Sequence, residues 1–94
     1  MPILHIEHEI TDLGLWLETF NRFAPAREQA GVMQAEVFQP SDDQHYIVVN
    51  LRFDSVEAAT NFRTFLTDVV WASPDTSPAL ASAPTARVLT EVSV

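Results

Sequence analysis

The sequence contains no cysteine. Disulfides and thiolate metal sites are therefore excluded, and a reducing, cytoplasmic setting is the expectation. Glycine is scarce, at two residues, and no glycine-rich phosphate loop is present, so nucleotide binding is not expected. Basic residues are few. Five Lys plus Arg against 13 Asp plus Glu give a net charge of −8 at pH 7. A nucleic-acid partner would require a basic patch, and an anionic membrane would repel such a chain. No apolar run approaches the roughly 20 residues of a membrane span, and no secretory leader pattern is seen. There is no nucleophile elbow and no His-Glu-x-x-His zinc motif. These absences leave one acidic domain, residues 1–94, whose 47% hydrophobic content suits a globular fold. A chain of this length buries only about 60–65% of its unfolded surface, so its core is thin.

Residues 45–71, HYIVVNLRFDSVEAATNFRTFLTDVVW, organise the rest. From 46 to 53 the residues alternate. Ile47, Val49, Leu51 and Phe53 share one face, and Tyr46, Val48, Asn50 and Arg52 share the other. Period two with β-branched and aromatic residues predicts a strand. Asp54 is then read as a helix N-cap, with Glu57 completing a capping-box-like pair. Val56, Ala59, Phe62, Leu66 and Val69 follow at the spacing of one helix face, with Phe65 and Val70 beside them. The apolar strand face is expected under this helix, and the face with Asn50 and Arg52 away from it.

Residues 3–10 read as a first strand. Leu4, Ile6, His8 and Ile10 lie on one face; Ile3, His5, Glu7 and Glu9 lie on the other. Thr11 and Asp12 can cap a helix on which Leu13, Trp16, Leu17, Phe20 and Phe23 or Ala24 recur. Pro25 removes a backbone donor and crowds the preceding turn. A kink is expected there, or a new turn that starts at Pro25. Gly31 closes the segment as a C-terminal cap. Residues 32–39 read as a second strand, and Pro40-Ser41-Asp42-Asp43 as the turn of an antiparallel hairpin. Residues 73–84 form a structured lid or brace, with one helical turn from Ser77 and Pro78 through Leu80. Residues 85–94 alternate as a last strand. The order is βαββαβ, the ferredoxin-like α+β arrangement. It has a four-stranded antiparallel sheet in order 4-1-3-2 and both helices on one face.

Nothing in the chain covers the other sheet face. It presents roughly 400 Å² of mixed apolar and charged surface, from four strands about 4.8 Å apart. Homodimerisation about a two-fold axis is the common solution for such a face.

The βαββαβ order, the corner FDSVEAATNF (53–62) and the segment VWASPDTSPAL (70–80) resemble the dimeric α/β-barrel superfamily. Its best-known branch is the antibiotic-biosynthesis monooxygenase-like proteins. The resemblance covers nearly the whole chain and is carried by structural residues. It implies a homodimer whose sheets face each other as a barrel, with a ligand cleft between sheet and helices in each protomer. Members include cofactor-free oxygenases of polycyclic phenols, lactone isomerases, heme-degrading enzymes and polyketide cyclases, so fold does not fix activity. The heme-degrading members use an asparagine of the first strand, a tryptophan and a histidine of the second-helix region. Trp71 matches that tryptophan, but the first strand has no asparagine and no histidine follows His45. No cofactor is therefore expected.

His5 and His8 are three apart on a strand and point to opposite faces, so they cannot grip one metal. No metal site is expected. His5 is a candidate general base, since an imidazole titrates near neutrality. Its bland reading is a polar residue on a half-buried sheet. Arg52, beside Tyr46 and Asn50, is a candidate anion anchor or an ion pair with Glu7 or Glu36. Whether Glu36 shares that face depends on the register of the second strand. Trp16, Phe20, Phe23, Phe62, Phe65 and Trp71 form either core or the wall of an aromatic pocket. Trp71 and Asp75 flank the lid and are expected to touch a ligand there. Two functions stay open. One is a cofactor-free monooxygenase-like, isomerase or cyclase protein acting on an aromatic or polyketide-like molecule, with His5, Arg52, Tyr46 and Trp71 lining the cleft. The other is a non-catalytic dimeric binding or structural module.

Overall fold

A computed structural model describes residues 1–94. The elements are β1 (Ile3–Glu9), α1 (Leu13–Arg22), α2 (Ala24–Gln29), β2 (Gln34–Phe38), β3 (Tyr46–Arg52), α3 (Val56–Phe65) and β4 (Thr85–Leu89). The four strands form one antiparallel sheet in the order β2-β3-β1-β4, as the sequence pattern requires. Register follows side-chain parity. Leu4 faces Leu51, Ile6 faces Val49 and His8 faces Ile47, so one sheet face is almost wholly apolar. That face and the helices enclose the core. Leu4, Ile47 and Phe53 are fully buried, and Ala59, Phe62, Leu66 and Val70 pack on them. Only 15 of 94 residues are buried, so each core side chain carries a large share of the stability.

Helix ends differ in detail from the sequence reading. Asp12 caps α1, its carboxylate accepting from the Leu15 amide at 2.8 Å. Ser55, and not Asp54, caps α3: its hydroxyl accepts from the Ala58 amide at 3.1 Å. Both residue types cap well, and the backbone leaves its extended conformation one residue later than the sequence suggests. Ser55→Ala is expected to cost about 1 kcal/mol and Asp54→Ala less than about 0.5 kcal/mol in urea unfolding. Equal costs would return the cap to Asp54. The first helix breaks at Phe23, and Pro25 occupies the second position of α2, where its missing N–H has no intrahelical partner to lose. Gly31 follows with φ 90°, the left-handed conformation that favours glycine.

Two further departures shape the site. After Phe65 the helix widens into a π-helical segment, Leu66–Val70, closed by the Trp71 amide on the Leu66 carbonyl at 2.8 Å. The wider turn moves the inward position from Val69 to Val70, so Val70 is buried and Val69 exposed. The lid expected to carry a helical turn is instead a set of turns. It is pinned to β1 by Thr11 N–H on the Ala79 carbonyl and Ala81 N–H on the Glu9 carbonyl. The Thr76 hydroxyl ties it to the π segment through the Val70 carbonyl at 2.7 Å. β4 ends at Leu89 rather than at residue 94, where its ladder with β1 stops at the Ile3–Leu89 pair.

Candidate functional site

The sheet presents two chemically different surfaces. The open face carries a chain of hydrogen bonds across β1 and β3. Asn50 Oδ1 lies 2.6 Å from His5 Nδ1, His5 Nε2 lies 2.8 Å from Glu7 Oε2, and the Tyr46 hydroxyl donates to Glu7 Oε1 at 2.7 Å. An ionised carboxylate only accepts, so His5 Nε2–H donates to Glu7; the Asn50 contact is then a hydrogen bond with Nδ1 also protonated or with the amide turned to present its NH2 to Nδ1. The Tyr46 hydroxyl, then His5, holds the Glu7 carboxyl below the usual carboxylate range. The same bond pushes the Tyr46 phenol up. Beside this chain, Arg52 Nε lies 3.5 Å from Glu36 Oε1. Glu36 faces Asn50 in the β2–β3 register, which places it on the open face. Phe38 and Leu89 are exposed here.

The other surface is a cleft between the apolar sheet face and the helices, with a cavity of about 70 Å³ lined by 15 residues, 11 of them hydrophobic. α1 supplies Trp16, Thr19 and Phe20; α2 supplies Arg27; β1 supplies Ile6 and His8; α3 supplies Phe62. The π segment brings Leu66, Val70 and then Trp71 to the rim, and the pinned lid adds Ser77 and Ala79. Trp16 and Phe20 stack with ring centres 4.8 Å apart. The Arg27 guanidinium lies 3.6 Å from the centre of the Phe20 ring, and its Nη1 donates to the Phe20 carbonyl.

His8 is the unusual member of this lining. Its Nδ1 is 2.8 Å from the Glu9 carbonyl, which can only accept, so Nδ1 carries the proton. Burial pushes the imidazole down, against the smaller opposing pull of that carbonyl. The ring is thus neutral at pH 7, and Nε2 bears a lone pair. Nε2 has no partner in the protein, yet no side-chain nitrogen or oxygen is sealed off unpaired. It therefore opens toward the cleft that His8 lines.

The structure divides the residues that the sequence suggested. His5, Tyr46, Asn50 and Arg52 are brought together, but on the open sheet face and not in the cleft under the helices. Trp71 alone lies in that cleft; Asp75 is exposed on the lid and does not line it. His8 was weighed only as a metal ligand and not as a cleft residue, and Arg27 was not singled out. The signals were a lone polar residue on the face of Leu4, Ile6 and Ile10, and an arginine seven residues after Phe20 and four after Phe23.

Of the perturbed groups, His8 and Glu7 give acid sensitivity in separate windows. Both folded values are depressed, so each contributes stability above its unfolded value that is lost as pH falls. The loss attributable to His8 begins near its ordinary value of 6.5, and that of Glu7 near 4.5. Glu7→Gln is expected to flatten the lower window of a stability–pH profile and leave the upper one. An unchanged lower limb would show that the Tyr46–Glu7–His5 chain does not persist in solution.

No model of a protein family matches the chain, and no curated protein sequence is similar to it at a significant level. Solved structures are similar over its whole length. An antibiotic biosynthesis monooxygenase superposes with TM-score 0.70 at 14% identity, covering 99% of this chain and all (100%) of the other. A dimeric ferredoxin-like protein from an uncultured marine organism gives 0.67 at 10% identity, over 97% of each chain. An uncharacterized NIPSNAP domain protein from Burkholderia xenovorans gives 0.60 at 18% identity, covering 98% of this chain and 95% of that one. At such identities the likeness is one of fold: this chain has the βαββαβ architecture of the dimeric ferredoxin-like and antibiotic biosynthesis monooxygenase structures.

Proposed function

We propose that the chain is a homodimeric small-molecule protein that holds an apolar or aromatic ligand in the cleft between sheet and helices. The observation that carries this reading is the cleft itself. It is walled by aromatic rings, and among its four polar residues His8 and Arg27 keep hydrogen-bonding capacity beyond the bonds they make to the Glu9 and Phe20 carbonyls. Ligand sites of this kind combine apolar walls with a few placed polar groups. The proposal includes cofactor-free chemistry on such a ligand, of oxygenase, isomerase or cyclase type; one solved neighbour of the same fold is described as an antibiotic biosynthesis monooxygenase. Trp71 is proposed as a ligand contact. His5, Arg52, Tyr46 and Asn50 are proposed to lie inside the dimer, where their mutual bonds fix two facing sheets.

Self-association is supported by three things. The sheet face is uncovered, exposed apolar side chains stand at both of its edges (Phe38 on β2 and Leu89 on β4), and two solved neighbours are described as dimeric. A non-catalytic module remains the second reading, favoured by how completely the polar groups of the open face satisfy one another. Both tryptophans of the chain line the cleft, so intrinsic fluorescence reports on it directly. Methyl benzoate is expected to quench that emission saturably. Thr19→Phe, which fills the cleft from α1, is expected to weaken it at least tenfold with the fold retained. A linear, non-saturable response of the wild type to methyl benzoate and to the corresponding acids alike would remove the pocket reading.

A further inference from the structure

We infer that the cleft under the helices selects a single-ring aromatic carboxylate that also carries a hydroxyl, with Arg27 taking the carboxylate and His8 Nε2 accepting from the hydroxyl. This deepens the small-molecule reading and rests on it.

Charge gives the first half. The chain carries 13 acidic residues and a net −8, yet no Asp or Glu lines the cleft, and Arg27 is the one charged residue that does. The ion pairs of the chain use Met1, His5, Arg22 and Arg52, not Arg27. A guanidinium has five N–H donors. One is spent on the Phe20 carbonyl, and the ring of Phe20 holds the group flat. A half-buried arginine so held, in an otherwise acidic protein, offers the planar fork that a carboxylate matches. The surrounding wall is apolar, which strengthens the attraction by excluding water.

Tautomer gives the second half. Nδ1–H of His8 is committed to the Glu9 carbonyl, so Nε2 can only accept. An accepting nitrogen repels a carboxylate and recognises a hydroxyl. The charged group nearest in the lining is again Arg27; Trp16, Thr19, Phe20, Phe62 and Trp71 bring nothing titratable against the ring. Of the four polar residues of the cleft, Thr19 already donates to the Leu15 carbonyl and Ser77 sits on the lid, while Arg27 and His8 ask for different functions on one ligand, an anion and a donor. Size gives the last part. A cavity of about 150 Å³ accommodates benzene. At about 70 Å³ this one encloses less than a ring, so even a single ring must sit partly in the open mouth, which favours the smallest aromatic ligands.

The test titrates the wild-type protein at pH 7.5 with benzoate, the three hydroxybenzoate isomers and their methyl esters, read by tryptophan emission. At least one hydroxybenzoate is expected to bind ten times tighter than benzoate and ten times tighter than its own ester. Arg27→Met is expected to erase the acid-over-ester preference. His8→Phe is expected to erase the hydroxyl preference while benzoate still binds. Acid and ester binding alike to the wild type would overturn the inference and leave the pocket reading standing. No binding by any acid or ester would overturn both. The wild-type ratios decide the matter even if a variant fails to fold.

Discussion

Phe53→Ala is expected to cost about 3–5 kcal/mol and to leave the chain substantially unfolded at 25 °C. Phe53 has no exposed surface and packs against Phe62 with ring centres 6.0 Å apart. It ends the apolar face of β3, and its amide donates to the Pro2 carbonyl at 3.0 Å, tying the start of β1 to the end of β3. Removing the ring leaves a void where the sheet, α3 and the chain terminus meet. A large protein could relax around it; a core of 13 residues has few layers to give. Chemical unfolding followed by circular dichroism measures the cost. A loss below about 1 kcal/mol would mean that this corner is not part of the core in solution.

Val48→Asp is expected to weaken self-association at least about 100-fold, roughly 3 kcal/mol, while the monomer stays folded. Val48 lies mid-strand on the open face, opposite Glu7 on one side and Phe38 on the other. In an isolated chain, an aspartate there remains at the surface and costs little. In a dimer of facing sheets it is desolvated beside an ionised carboxylate, and an unpaired buried charge is expensive. Sedimentation at micromolar concentration separates the outcomes. A wild-type protein that sediments as a clean monomer would contradict the dimer outright. A variant that remains dimeric would move the interface elsewhere.

What could be read in advance follows from what periodicity encodes. Period two fixes which residues share a strand face, so the buried row Ile47, Val49, Leu51, Phe53 and the polar row Tyr46, Asn50, Arg52 were legible, as was the strand order. Periodicity does not show whether space lies above a face. His8 could be placed among Leu4, Ile6 and Ile10, but not beside a cavity, because the cavity is closed by α1, α2, β3, α3 with its π segment, and the lid. Arg27 follows the break at Phe23, and the direction of α2 after that break is a tertiary result. The π segment has no sequence signature; its inserted turn decides that Val70 and Trp71, not Val69, reach the cleft. The last strand was read too long for a related reason. The alternation of Val88, Thr90, Val92 and Val94 continues past the Ile3–Leu89 pair, where the ladder with β1 stops.

The central claim is that ligands bind under the helices and not on the open sheet face. Chemical-shift mapping of the labelled protein with 3-hydroxybenzoate tests it most directly. The predicted result is movement of both tryptophan indole signals and of the His8 and Arg27 side chains, with His5, Tyr46, Asn50 and Arg52 unmoved. Shifts confined to His5, Asn50 and Arg52, with the indole signals still, would place the ligand between the sheets and contradict it.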